Sequence, residues 1–386
     1  MMTINYRDIQ NYEDEVRSVI TEGEGFERTV YDDGVNHIPT IGYGYALIID
    51  NGDNWVVKST LEDDLESLGV TLSLGDQLIL DQIASALNGD TETTAEEIMD
   101  DYEFDLTVDE DEANSLFDAE RERAENAIED QLARHLNPER AAEIFTNLSE
   151  THELVALTSL VYTNYTLIGP GLSSALDEGN RAEAWYEIRY ASNGGDDAGI
   201  AKRRYHESHI FGLYDEGVDA ETITNDQARQ VYRMFNRRRD DILDYESRYG
   251  VNPDGSNGNR NMIAEANEDY SPGTDIPTLE EALSPATGYL MEEYVTSLDE
   301  SLTETIDFQN IWVDRLDNEG DSQGSGDGVP TMSGCDENDL LVRSNSGSDL
   351  KGVKGNDVLW GEEKKMASQA GGAWMSLKEA PAPTAA

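Results

Sequence analysis

The chain has 386 residues, with 81 Asp plus Glu against 27 Lys plus Arg and a formal net charge of −54. So acidic a surface repels DNA, RNA and anionic lipid, and no basic patch interrupts it, which excludes a nucleic-acid-binding role. Cys335 is the single cysteine, leaving neither an intramolecular disulfide nor a thiolate zinc site. No apolar run approaches the ~20 residues that cross a bilayer, so no membrane anchor is expected.

Residues 1–10 carry Arg7 and Asp8 without an apolar core, so no Sec signal peptide is expected. Only Lys58 and Lys202 precede Lys351, the first of five lysines that crowd into the end. Heavy Asp and Glu with little Lys suits a protein kept soluble at high salt, and equally an acidic exported protein.

In chain order, residues 4–21 read as an amphipathic helix with Ile9, Tyr12, Val16, Val19 and Ile20 near one face, closed by Gly23 and Gly25. Residues 29–49 alternate short apolar and turn elements, which predicts a small antiparallel hairpin. From 60 to 248 the spacing is mainly helical. Residues 250–261 are rich in Gly, Asn, Asp and Pro, residues 271–308 suit one or two short helices, and 317–328 form an acidic, glycine-rich linker. The expected domains are therefore 1–249, a linker region 250–334 with short helices, and a distinct tail 335–386.

The stretch 22–47 gathers acids, glycines and two threonines at a helix-to-hairpin junction. A carboxylic acid at a helix end, shielded by an apolar neighbour such as Phe26, can have a raised pKa and act as a general acid. A second carboxylate on the next turn can stay ionised and activate water. Inverting glycoside hydrolysis uses such a pair ~6.5–9.5 Å apart.

These residues resemble the phage-type lysozymes, the muramidase endolysins of glycoside hydrolase family 24. Their pattern is a Glu, eight residues, an Asp or Cys, five residues, then Thr-Ile-Gly-x-Gly. Here eight residues lie between Glu24 and Asp33, and Thr40-Ile41-Gly42-Tyr43-Gly44 completes the match. Six residues rather than five separate Asp33 from Thr40, which leaves Asp32 and Asp33 as alternatives for the second carboxylate. Further stretches match in order. Residues 106–113 resemble the opening of a helix with Thr as N-cap, and 156–164 the buried central helix ending in an Asn-bearing turn. Residues 176–184 resemble the short helix after it, and 199–207 the Gly-Leu-x-x-Arg-Arg-x-x-Glu signature. Tyr45 stands where the family often has His, so the pairing that His makes is absent or replaced. Residues 50–105 read as an insertion near the cleft.

The resemblance implies an α+β, mainly α, lysozyme-like fold with a small hairpin-containing lobe and a larger helical lobe. It implies cleavage, without a catalytic cofactor, of the β-1,4 bond between N-acetylmuramic acid and N-acetylglucosamine. Glu24 would be the acid, Asp33 would hold the attacking water and Thr40 would help place it. Arg203 would partner Glu24 across the cleft, and Asn164 would contact the sugar. The implied partner is peptidoglycan, acted on by a monomer. It would be released from a host cytoplasm to the wall as a phage endolysin, or secreted by a C-terminal signal as a bacteriolytic toxin. A non-catalytic glycan- or calcium-binding module is the rival of another class.

Residues 42–47 lack the third glycine and the βαβ setting of a dinucleotide fingerprint. His37 has no second His nearby and reads as a loop residue rather than a metal ligand. Residues 254–265 have the length of an EF-hand loop, but Asn259 replaces its glycine. In the tail, residues 352–361 resemble one nonapeptide of the hemolysin-type (RTX) calcium repeat, and Asp339-Leu340-Leu341 lies two nine-residue periods before Asp357-Val358-Leu359. The copy between them, Ser348-Asp349-Leu350, is displaced by one. Weak calcium binding through Asp339 and Asp357 is what this resemblance implies.

Overall fold

The computed structural model describes residues 4–34, 36–162, 164–215, 217–252, 255–270, 275–296, 306–314, 331–333, 337–343, 349–351, 357–361, 364–369 and 373–378. Over these residues the chain folds as a mainly helical α+β protein with small sheets. It divides into an N-terminal unit, residues 8–173 with 267–274, and a C-terminal unit, residues 1–7, 174–266 and 275–386.

In the N-terminal unit, α1 (Tyr12–Glu24) begins later than the apolar pattern predicts and runs one turn further. Residues before it are extended, with Asp8 bridging Thr151 and the Ile9 N–H bonded to the Glu150 carbonyl. Gly23 stays helical, and the stop comes at Gly25, whose φ of 72° suits a residue without a Cβ. Strands β1 (Glu27–Asp32), β2 (Pro39–Gly42) and β3 (Tyr45–Ala46) form an antiparallel sheet in which Tyr31 faces Thr40 and Ile41 faces Tyr45. The hairpin expected from the turn residues is present.

A second hairpin, β4 (Ile48–Asp50) with β5 (Trp55–Val57), leads into α2 (Leu61–Ser67), α3 (Leu74–Leu87) and α4 (Ala95–Asp101). Residues 50–105 are integral to the packing: Leu61, Leu65, Leu80 and Ile83 share one buried core with Ile41 and Tyr45 of the first sheet and with Leu47 just after it. The Asn88 side chain also clasps the Trp55 backbone through two 2.8 Å hydrogen bonds.

The long α5 (Glu110–His135) opens at Asp109, which forms a capping box with Glu112. Thr107, the expected cap, instead bridges Thr29 of β1. After α6 (Pro138–Leu148), α7 (His152–Tyr162) packs on α1 and α5, with every residue from Glu153 to Tyr162 buried. A helix buried on all sides is the central helix that the sequence called for.

The division falls at residue 173, within α8 (Pro170–Glu178), rather than at 249. The short helix expected over 176–184 is broken at Gly179, and α9 (Arg181–Tyr186) continues into a π-helical turn. Next come α10 (Ala198–Phe211), α11 (Asn225–Tyr249), α12 (Met262–Asp269) and α13 (Leu279–Leu290). The region expected as a linker carries core residues instead, because Leu283, Leu290, Ile311 and Val313 are buried and α13 and β6 (Ile311–Val313) pack on α11.

The tail adds β7 (Thr331–Ser333), β8 (Leu340–Val342), β9 (Asp349–Lys351), β10 (Asp357–Gly361), β11 (Lys364–Gln369) and β12 (Ala373–Lys378). Here β8 and β10 are parallel with Leu340 opposite Val358, and β7 and β9 are parallel with Thr331 opposite Asp349, an offset of eighteen residues in both pairs. From β7 to β10 the strand spacing is thus nine residues, although Asp349 is itself paired with Thr331 while Asp339 and Asp357 stand one position before the pairing of Leu340 with Val358. Among the described residues no helix is long and apolar enough to cross a membrane.

Candidate active site

Glu24 is the last residue of α1, three positions before β1 begins, and its side chain lies outside the described residues. What positions it is plain. The Arg17 guanidinium on α1 grips Asp118 of α5 at 2.8 and 3.0 Å, and the Tyr12 hydroxyl donates to Glu125 at 2.9 Å beside Thr158 of α7. The helix is therefore tied to α5 and α7 at Tyr12, its first residue, and to α5 again at Arg17.

The turn after β1 is built by its own aspartates. Asp33 Oδ1 accepts the N–H groups of Asn36 and Ile38, each at 3.0 Å, and the Asp33 N–H donates to the Ile38 carbonyl. Asp32 Oδ1 accepts the Gly34 N–H at 2.7 Å, while Oδ2 meets His37 Nδ1 at 2.8 Å. That bond to Asp32 raises the His37 pKa, the slight burial opposes it, and the charges of Asp32, Glu96 and Asp33 reinforce it. Both alternatives for the second carboxylate thus hold the turn, Asp33 through backbone N–H groups and Asp32 through His37.

Thr40 is buried on β2 and its hydroxyl donates to the Ile38 carbonyl at 3.1 Å. Gly42, at φ 65°, lies against α5: a Cβ there would stand 3.1 Å from the Ala113 Cβ. The glycine of the Thr-Ile-Gly-x-Gly run is therefore needed for a close approach as well as for its backbone conformation.

An aromatic pair missed at the sequence level flanks the helix end. The Phe26 and Tyr43 rings are 5.4 Å apart, and the Tyr43 carbonyl accepts the Tyr162 hydroxyl at 3.3 Å. Phe26 is 38% exposed, enough to offer a face to a pyranose ring. The signal was Phe26 next to Glu24-Gly25 and Tyr43 at the variable position of Gly-x-Gly.

Beneath the sheet lies a buried polar network. The Tyr45 hydroxyl donates to Asp64 Oδ2 at 2.5 Å, and Arg123 donates to both Asp64 oxygens at 2.5 and 2.7 Å. Glu120 pairs with buried Lys58, with Arg123 at 3.1 Å, and with the Tyr165 hydroxyl. Burial depresses the Lys58 pKa, and the neighbouring Glu120 offsets part of that. Burial, with Asp64 and Glu120 beside them, pushes the Tyr45 and Tyr165 phenols up, so both remain donors. Tyr45 thus forms a hydroxyl–carboxylate pair at the position where the resembled family often has His. That Lys58 is one of two lysines before residue 351 was the available signal.

The remaining expected residues fall elsewhere. Asn164 is exposed after α7, its Oδ1 accepting the Thr166 N–H at 2.9 Å and hydroxyl at 2.7 Å, which makes it a turn former. Arg203 belongs to the C-terminal unit, where its Nε donates to Glu207 at 3.0 Å along α10. In the tail, Asp339 and Asp357 are buried: Asp339 accepts the Trp312 indole N–H at 3.2 Å, and Asp357 accepts the Asp339 N–H at 3.2 Å. No group of three or more His, Cys, Asp or Glu suited to a metal occurs among the described residues. The glycine-bearing turn 352–356 lies outside them.

Comparison of the chain with protein-family models, with curated proteins and with solved structures finds no match.

Proposed function

We propose that the N-terminal unit is a glycoside hydrolase acting on the β-1,4 glycan bonds of peptidoglycan, with Glu24 as general acid. The observation that carries this reading is the junction itself. A helix pinned by Arg17 and Tyr12 ends on Glu24 immediately before a sheet whose first turn bears Asp32 and Asp33 and whose second strand bears Thr40. In this reading Glu24 protonates the leaving oxygen. A carboxylate of the Asp32–Asp33 turn activates water on the opposite side of the sugar, and Thr40 helps orient that water. Phe26 and Tyr43 supply an aromatic face for a neighbouring ring. No metal or cofactor is required by these roles.

The test is release of muropeptides from purified peptidoglycan, identified by mass after reduction, for the intact chain and Glu24→Gln across a range of NaCl. New reducing ends at muramic acid that vanish in the variant support the reading. Release that survives the variant moves the acid elsewhere, and no release at any salt concentration favours a non-catalytic glycan-binding module. Because walls are mostly anionic and the chain carries −54, activity is expected to rise with salt as repulsion is screened.

A further inference from the structure

A partly enclosed pocket of about 310 Å³ lies in the C-terminal unit where Gly179, the loop after α10 and the first turns of α11 converge. Ile4, Leu213 and Val231 form its apolar side, and Asp215, Gln227 and Gln230 its polar side.

Its charges are already matched. Arg181, also in the lining, is buried and donates to Asp215 Oδ1 at 2.9 Å and to the carbonyls of Phe211, Gly212 and Asn5 at 2.8, 3.3 and 2.9 Å. The second Asp215 oxygen accepts the Gln227 amide at 3.1 Å. An anion would have to break Arg181 away from four acceptors, and a cation would have to draw Asp215 from two donors, so neither charge sign is favoured. Gln230 differs: its Nε2 donates to the Gly179 carbonyl at 3.3 Å, which orients the amide and leaves its oxygen able to receive a donor from a guest. An apolar wall facing an oriented amide, without net charge, selects a neutral amphipathic ligand. The volume is at the low end of small-molecule sites, about one sugar ring.

We propose that this pocket binds a single N-acetylhexosamine residue of a glycan. The ring's C–H face would rest on Ile4, Leu213 and Val231, and its acetamido N–H would donate to Gln230. The choice of an acetamido sugar rests on the peptidoglycan reading above; the neutral, single-ring class does not.

The experiment follows the methyl resonances of Ile4, Leu213 and Val231 in the full chain during titration with N,N′-diacetylchitobiose, glucose and inorganic phosphate. Saturable shifts with the chitobiose, weaker ones with glucose and none with phosphate are expected. In Gln230→Leu the chitobiose affinity should fall about tenfold. Absence of shifts in the wild type, equal shifts with phosphate, or unchanged affinity in a folded Gln230→Leu overturns the proposal. Should that variant not fold, the wild-type titration decides alone. Methyl shifts without muropeptide release would leave the pocket and remove the hydrolase; release without methyl shifts would do the reverse.

Discussion

The Tyr45 hydroxyl and the Asp64 carboxylate, 2.5 Å apart, join the first sheet to α2 beneath the candidate site. Burial works against the ionised Asp64, but bonds from Arg123, Tyr45 and Thr60 outweigh it and hold its pKa below the ordinary value. The stabilisation is therefore complete above the unfolded carboxylate value of ~3.9 and is lost as pH falls through the lower folded value. Tyr45→Phe should cost about 1 kcal/mol, since Arg123 and Thr60 still satisfy Asp64. Asp64→Asn should flatten the acid limb of urea stability measured from neutral pH downward. An acid limb equally steep in Asp64→Asn would show that this carboxylate does not set it.

Gly42 is a tight backbone position on the sheet. Its φ of 65° and the 3.1 Å approach to the Ala113 Cβ mean that Gly42→Ala adds both backbone strain and a steric contact. The expected loss is about 1–3 kcal/mol in denaturant unfolding. Adding Ala113→Gly should restore part of the steric share and none of the strain, so full recovery in the double variant would refute the backbone argument.

Two histidines should titrate in opposite directions. His37 is raised, chiefly by its bond to Asp32, so its support of the turn is complete below ~6.5 and is lost as pH climbs through its folded value. His209 is lowered by burial, with Arg189 and Arg7 adding to the effect against Asp275. The unfolded chain then takes up the His209 proton first, and stability declines as pH drops below ~6.5. Imidazole resonances followed by NMR should give a midpoint above the free value for His37 and below it for His209. Coincident midpoints would contradict both environments.

The outer edge of β6, paired on its other side with β8, is capped by a side chain. Asn236 on α11 donates to the Ile311 carbonyl at 3.0 Å and accepts the Val313 N–H at 2.8 Å, taking the place of a further strand. Asn236→Leu leaves a buried donor and acceptor unsatisfied, at a cost of about 2–4 kcal/mol. Amide exchange at residues 311–313 should accelerate. Exchange unchanged in a folded variant would mean that packing of Ile311 and Val313 alone holds the strand.

Much of the architecture was readable in advance where a local rule acts alone. The buried helix that the resemblance implies over 156–164 falls on α7, which is buried from Glu153 to Tyr162. The turn residues around Asp33-Gly34 and Gly42-Tyr43-Gly44 required a hairpin. Local rules misled where two candidates competed within a few residues. Asp109, three positions before Glu112, caps α5 better than Thr107, and Gly25 rather than Gly23 stops α1 because only Gly25 takes positive φ. The candidate site was legible as residues but not as contacts: nothing in the spacing says that Asp33 spends its carboxylate on Asn36 and Ile38, or that Arg203 turns to Glu207.

The sequence by itself determined the acidic character, the mainly helical content, the hairpin and the nine-residue strand spacing of the tail. Each follows from composition or from periodicity over a few residues. Only the tertiary structure decided that residues 50–105 complete a core rather than decorate one, and that the chain divides at 173. It also paired Tyr45, Asp64, Arg123, Glu120 and Lys58 into one network. These depend on side chains far apart in sequence meeting in a low-dielectric interior, where each buried polar group needs a partner that no local pattern can name.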